Sequence, residues 1–125
     1  VKTARRRAKS ISQEWTFNKD IADAEILLQQ LQKMCGKIAQ SQQQRNLIAH
    51  TVTVKFRLAD FTTFTRQKSM EVGIDREEDI FRLATSIWRE NWAARVRIRL
   101  LGVGVSNLAE NSVRQLSFNF EFTNE

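Results

Sequence analysis

The chain of 125 residues has a net charge of +6, and hydrophobic residues make up 42% of it. This composition predicts one folded domain with a substantial core and argues against a disordered chain. Because it has a single cysteine and no apolar run of membrane-spanning length, we expect a reduced, cytoplasmic protein without a signal peptide, a disulfide framework or a membrane partner.

The first residues are rich in Lys and Arg and contain no acid, so residues 1–9 predict a basic linker before a domain at 10–108. From Ser10 to Phe17 the sequence alternates as a half-buried strand does. We expect Ile11, Trp15 and Phe17 to face the core. The outward positions are Ser10, Ser12, Glu14 and Thr16.

A first helix is predicted from Asp20 to about Gln43, with Asp20 as its N-cap. Apolar residues recur at three- and four-residue spacing and form one stripe. They are Ile21, Ala24, Leu28, Leu31, Cys35 and Ile38. Cys35 is therefore interpreted as a small buried hydrophobe rather than a reactive thiol.

Two alternating runs then predict an antiparallel hairpin with a short turn at Ala59 and Asp60. In the first run, Thr51 to Leu58, the positions expected to face the core are Val52, Val54, Phe56 and Leu58. The positions expected to face outward are Thr51, Thr53, Lys55 and Arg57. The second run extends from Phe61 to about Val72 and carries Thr65, Arg66 and Lys68.

A second helix is predicted from Asp75 to about Trp92, because Asp75 and Glu78 have the spacing of a capping box. Its apolar stripe consists of Ile80, Leu83, Ala84, Ile87 and Trp88. Since Trp88 shares that stripe, we expect it in the core rather than on a surface that stacks bases.

The last predicted strand, 95–105, carries a row of arginines. Arg95, Arg97 and Arg99 have one parity, and Val96, Ile98 and Leu100 have the other. Successive side chains of a strand point to opposite faces, so the apolar residues would enter the core and the arginines would face outward. A row of arginines repels itself unless an anion, such as a phosphate backbone, lies against it.

The order β-α-β-β-α-β predicts an α+β fold: a four-stranded, mostly antiparallel sheet with two helices on one face and an open basic face on the other. The cations of the predicted strands contrast with the acids that gather at the start of the second helix, at 75–79. This segregation of charge favours a nucleic-acid partner.

The expected open face offers hydroxyls and cations with few aromatics, which suits duplex phosphates better than stacked single-stranded bases. A free-standing RNA- or ribosome-binding module remains an alternative, and so does a protein-interaction domain that acts through its tail. No catalytic or metal-binding constellation is evident, and His50 is interpreted as structural.

Three segments carry a family resemblance: KSISQEWTF at 9–17, TVKFRLADFTTFTR at 53–66 and RIRLLGVGVS at 97–106. Together they resemble the little-finger domain of Y-family translesion DNA polymerases, over about residues 5–108. The resemblance implies a domain that lies in the major groove of the primer–template duplex and grips its phosphates. It also implies palm, fingers and thumb domains elsewhere in the same parent chain.

In that family nucleotidyl transfer uses magnesium ions held by palm carboxylates, so this chain is expected to carry no catalytic residue and no cofactor. The candidate DNA-binding residues are Arg6, Arg7, Lys9, Ser10, Ser12, Lys55, Arg57, Thr65, Arg66, Lys68, Arg95, Arg97 and Arg99.

The tail, 109–125, contains QLSFNF at 115–120, which resembles the short peptide with which such polymerases dock on a sliding clamp. The resemblance implies Gln115, Leu116, Phe118 and Phe120 as clamp-binding residues. An extended peptide with buried apolar anchors suits such a pocket. The alternation of apolar and polar residues at 116–122 also fits an added edge strand, and both interpretations remain open.

Overall fold

The computed structural model describes residues 10–92 and 96–111. The order of elements confirms β-α-β-β-α-β. The elements are β1 (Ser10–Ile21), α1 (Ala24–Arg45), β2 (Leu47–Leu58), β3 (Thr63–Ile74), α2 (Glu77–Asn91) and β4 (Ile98–Glu110). β4 therefore begins later than the predicted strand and runs past 108.

The described strands form one antiparallel sheet in the order β1-β4-β2-β3, so β4 lies between the first two strands. Both helices pack on the same side of this sheet and against each other. The core lies between the two layers. The paired positions Val52 and Val105, and Phe56 and Leu101, are fully or almost fully buried there.

The first helix begins at a different cap from the predicted one. β1 continues through Ile21, so Asp20 lies in a strand, and Asp23 caps α1 by accepting a hydrogen bond from the Glu25 amide at 2.9 Å. The helix ends at Arg45 and is capped by Asn46, whose φ of 57° is left-handed. Asn tolerates that conformation better than most residues. The prediction of Asp20 as N-cap was wrong, because the edge strand is longer than its alternation indicated.

The predicted capping box of the second helix is absent. Arg76 occupies the N-cap position of α2 and makes no side-chain capping hydrogen bond. Asp75 lies before the cap and is buried, and its carbonyl accepts a hydrogen bond from Gln43 at 2.8 Å. The apolar stripe was correctly predicted, since Ile80 and Trp88 are buried in the core.

Trp15 is not in the core. Ile11 and Phe17 are nearly buried as their parity predicts, but Trp15 is 49% exposed. β1 is an edge strand, and Trp15 lies with Lys33 and Met34 of α1 around a hollow at the side of the domain. The parity was right, but α1 does not cover this part of the edge.

A bulge in β4 changes which residues face the core. Ile98 pairs with Leu58, whereas Leu100 pairs with the adjacent residue Arg57, so Arg99 is an extra residue on β4. An extra residue reverses the side-chain parity of a strand. Ile98 and Leu101 therefore belong to the core, and Leu100 lies on the opposite face with Arg57. Leu100 is nearly buried as predicted, but for this reason it lies on the other face of the sheet and not in the core cluster between sheet and helices.

The hairpin turn is longer than predicted and delays the start of β3 to Thr63. The Asp60 carboxylate accepts a hydrogen bond from the Thr62 amide at 2.9 Å, and this bond lowers the pKa of Asp60. Phe61 has a φ of 70°, is 65% exposed and lies under the guanidinium of Arg99, 4.7 Å from its ring centre. The turn thus holds an aromatic side chain at one end of the sheet.

Candidate nucleic-acid interface

The face of the sheet away from the helices is built from four rows of paired residues, one residue from each strand in the order β1, β4, β2, β3. We call this set the open-face grid. The rows are Ser10–Ser106–Thr51–Ser69, Ser12–Gly104–Thr53–Gln67, Glu14–Gly102–Lys55–Thr65 and Thr16–Leu100–Arg57–Thr63. Most of these side chains are hydroxyls, and none is aromatic.

Hydrogen bonds and burial fix the two ends of the grid. In the first row the Thr51 hydroxyl lies 3.1 Å from the Ser69 hydroxyl and accepts a hydrogen bond from the Asn107 amide at 2.6 Å. Thr51 is therefore buried, although its parity is outward as predicted. In the last row Arg57 Nε donates to the Thr63 hydroxyl at 2.9 Å, which holds the guanidinium over the grid.

Two glycines form the centre of the grid. A Cβ atom at Gly104 would lie 3.0 Å from Ser12 Cβ, and one at Gly102 would lie 3.1 Å from Glu14 Cγ. Side chains of the neighbouring strands therefore occupy the space above β4. Gly102 and Gly104 do not form a phosphate-binding loop, because they lie within β4.

Lys55 and Glu14 form an ion pair across this gap, with Lys55 Nζ 2.9 Å from Glu14 Oε2. Each residue is paired in register with Gly102 from opposite sides, so the pair spans β4. Both side chains remain partly exposed. Sequence analysis placed Glu14 outward but gave it no role. Its parity with Ser12 indicated that Glu14 faces outward, but the sequence did not show that only β4 separates β1 from β2.

Arg66 and Lys68 do not belong to the open-face grid, which corrects the prediction that they lie on the open face. Arg66 pairs with Val54 and Lys68 pairs with Val52, so both share the face that packs on the helices. Lys68 Nζ donates to Glu90 of α2 at 2.7 Å and to the Ser86 hydroxyl at 2.8 Å. The hydrogen bond from Lys68 lowers the pKa of Glu90. The Arg66 guanidinium lies over the Phe64 ring at 4.8 Å.

The arginines predicted to form one outward row on β4 do not follow a regular strand alternation. Arg97 is exposed and precedes β4, and Arg99 is the bulge residue, half-buried with its Nε 3.5 Å from Asp20 Oδ1. Arg95 lies outside the described residues. The bulge and the later start of β4 therefore separate Arg97 and Arg99 from the regular alternation that predicted them on one face.

The other candidates divide between the grid and undescribed parts of the chain. Ser10, Ser12, Lys55, Arg57 and Thr65 lie on the open-face grid. The candidates outside the described residues are Arg6, Arg7 and Lys9 in the predicted linker, and Gln115, Leu116, Phe118 and Phe120 in the tail.

Two residues that sequence analysis interpreted as structural are tied into the fold. His50 Nδ1 lies 3.2 Å from the Asn107 carbonyl oxygen. Cys35 is fully buried, and burial, with a smaller effect of the Glu77 charge, raises its pKa to about 12. A neutral thiol at this position is unreactive, because the thiolate is the nucleophile.

Over residues 10–92 and 96–111, no three His, Cys, Asp or Glu side chains lie close enough to hold a metal ion. In the same part of the chain, neither helix combines the length and apolar character needed to cross a membrane.

Residues 8–118 match the family model described as the impB/mucB/samB family C-terminal domain. Among curated proteins, a DNA polymerase IV of Bacillus anthracis is 33% identical over 90% of this chain and 28% of its own length. One of Staphylococcus aureus (strain Newman) is 34% identical over 94% of this chain and 33% of its own length. The chain thus spans about a third of these relatives.

Solved structures share the fold. A post-insertion binary complex of Dbh DNA polymerase matches with a TM-score of 0.70 and 21% identity, over 82% of this chain and 29% of that one. A complex of a β-clamp processivity factor with the little finger domain of PolIV matches with a TM-score of 0.64 and 18% identity. That match covers 78% of this chain and 86% of the other.

Proposed function

Because this chain belongs to the impB/mucB/samB family of C-terminal domains, the little-finger domains of Y-family DNA polymerases, we propose that it grips the primer–template duplex for an error-prone translesion polymerase. Its parent would carry palm, fingers and thumb domains that perform nucleotidyl transfer with magnesium. The chain itself would act by binding, in the cytoplasm, and residues 1–9 would link it to those domains. The family match does not favour a free-standing RNA- or ribosome-binding module.

The open-face grid is the observation that carries this proposal. It spans four strands, so three inter-strand spacings of about 4.8 Å give a width of about 14 Å. The major groove of B-DNA is about 12 Å wide, so the grid is wide enough to reach the phosphates along both edges of the groove. Ser and Thr hydroxyls, the Lys55 ammonium and the Arg57 guanidinium are all groups that donate hydrogen bonds to phosphate oxygens. The absence of aromatics from the grid argues against stacking of single-stranded bases.

Such contacts predict duplex binding that is insensitive to sequence and strongly dependent on salt. Each phosphate contact contributes about 0.9 to the slope of log affinity against log salt. The test is a salt titration of the 125-residue chain against a fluorescent primer–template duplex, with a single strand of the same length alongside. We expect tighter binding to the duplex and a steep loss of affinity with salt.

The variant for this test is K55Q/R57Q, which removes both cations of the open-face grid. Its matched control is K33Q/K37Q, which removes two exposed cations from α1 in the helix layer. We expect the grid variant to bind the duplex more weakly and with a slope shallower by about 0.9 for each phosphate that it no longer neutralises. The control should bind nearly as wild type does. Equal losses of affinity in both variants would refute the open face as the DNA-binding surface.

A clamp-docking role for the tail is the second proposal, supported by the QLSFNF segment at 115–120 and by the clamp complex of the matching little finger domain. We expect a chain truncated after residue 112 to lose binding to a purified β-clamp and to keep its duplex affinity. Unchanged clamp binding by the truncated chain would leave the alternation at 116–122 to the edge-strand interpretation.

A further inference from the structure

The open-face grid contains one anionic side chain of the protein itself. Glu14 is the one carboxylate among the grid residues, and it lies in the same row as Lys55. Its Oε2 atom is 2.9 Å from Lys55 Nζ. A carboxylate oxygen at this distance occupies a position on the lysine that a phosphate oxygen would take, since both are anionic acceptors of the same ammonium donors.

Gly102 makes this pairing possible. Glu14 and Lys55 belong to strands that are not neighbours, because β4 lies between β1 and β2. A side chain at residue 102 would stand between them, since its Cβ would lie 3.1 Å from Glu14 Cγ and 3.4 Å from Lys55 Cβ. The sequence of β4 therefore leaves the space that the pair crosses.

The pair is also accessible for exchange. The side chains of Lys55 and Glu14 are 32% and 48% exposed. Ion pairs at such exposure are weak, because water and salt screen them. Lys55 can thus exchange its carboxylate partner for a phosphate. Glu14 would then lie unpaired in the interface and repel the same duplex.

We propose that Glu14 limits the affinity of this surface for duplex DNA by competing with phosphate for Lys55. This inference rests on the proposed DNA-binding function and concerns the strength of the grip. Arg57, whose Nε is bound to a neutral hydroxyl, has no such competitor in its row and remains available to phosphate. The grid thus has one cation that is paired with a carboxylate and one that is not.

The test compares the wild-type chain with E14Q and with E14T, a neutral variant that suits a strand. E78Q is the matched control, because it removes one exposed carboxylate from the first turn of α2 and produces the same change in net charge. Duplex affinity is measured by fluorescence anisotropy from about 50 to about 200 mM salt, the range over which phosphate binding is most sensitive to salt. Folding of each variant is checked by circular dichroism.

We expect E14Q and E14T to bind the duplex about 3- to 10-fold more tightly at about 50 mM salt, with a slope about 0.9 steeper, as one added phosphate contact requires. This advantage should shrink by about 3.5-fold at about 200 mM. E78Q should stay close to wild type. An unchanged or reduced affinity of the folded Glu14 variants would overturn the inference, since Glu14 would then be neutral or would hold Lys55 in place for DNA.

Different results would refute the proposed DNA binding and the proposed competition by Glu14. If the wild-type chain binds the duplex and the Glu14 variants do not bind it more tightly, the competition by Glu14 is refuted and the DNA-binding function stands. If neither wild type nor any variant binds the duplex at the lowest salt concentration, the proposed function is refuted and this inference with it. A gain of the same size in E78Q would assign the effect to net charge and overturn the role of Glu14.

Discussion

Leu100 and Leu101 are both nearly buried, 5% and 0% exposed, and as neighbours in a strand they point to opposite faces of the sheet. The bulge at Arg99 determines that Leu101, and not Leu100, faces the helices. Replacing each by Ala therefore probes the bulge. Leu101 pairs with Phe56 inside the core, where neighbours cannot close a cavity. Leu100 lies between Thr16 and Arg57 on the open-face grid, where side chains can move into the space.

The expected cost follows from burial and from the freedom of the neighbours. Removing three carbon atoms from a buried leucine loses about 2.4 kcal/mol of transfer free energy, at about 0.8 kcal/mol for each CH₂. A rigid cavity adds to this loss, so Leu101→Ala should cost about 3–5 kcal/mol in the free energy of unfolding. Leu100→Ala should cost about 2 kcal/mol, close to the transfer loss alone, because the cavity term is small where the site can collapse.

Urea unfolding followed by circular dichroism measures both values, with the midpoint compared at equal m. A domain of this size has a total stability of about 5–15 kcal/mol, so the Leu101 variant should have a much lower midpoint than the Leu100 variant. The reverse order would refute the bulge, because the sequence without a bulge places Leu100 in the core and Leu101 outside.

Three other predictions concern single features of the fold. R66Q/K68Q should keep nearly the wild-type duplex affinity in the titration that separates K55Q/R57Q from its control, and a reduction as large as that of K55Q/R57Q would return these cations to the interface. Asp23→Ala should lower the free energy of unfolding by about 1 kcal/mol through removal of the N-cap, whereas Asp20→Ala should leave helicity intact. Thermal melts in which Asp20→Ala is destabilised and Asp23→Ala is not would restore Asp20 as the cap. Cys35 has a pKa of about 12 and is therefore protonated. At mildly alkaline pH it should resist a thiol reagent in the native state and react with it after denaturation. Fast labelling of the native protein would place Cys35 at the surface.

Element order and the core stripes were predictable because they depend on local periodicity. The alternation of Val52, Val54 and Phe56 and the spacing of Ile80, Ala84 and Ile87 each identify a buried face without knowledge of any neighbour. Periods of 2 and 3.6 residues are properties of the strand and the helix themselves, and all six residues are buried as expected.

The errors arose where a position depends on another element. The face taken by Arg66 and Lys68 follows from their pairing with Val54 and Val52, which the sequence of β3 does not contain. The parity of β4 changed at Arg99 because one residue was added to one side of a ladder. Trp15 had the correct parity but lies on an edge strand, and strand order is a property of the whole sheet. The pairing of Glu14 with Lys55 was missed for the same reason.

The position of β4 has a consequence for how this chain folds. It comes last among the described strands and joins the others, since β1 pairs with β4 and with no other strand of the described sheet. A chain still being synthesised can form the β2–β3 hairpin, but β1 must wait until residues near Ser106 have been added. Contacts between such distant residues slow folding. The domain therefore acquires its cooperative stability only after β4 has been made, and removal of β4 would leave β1 without a partner.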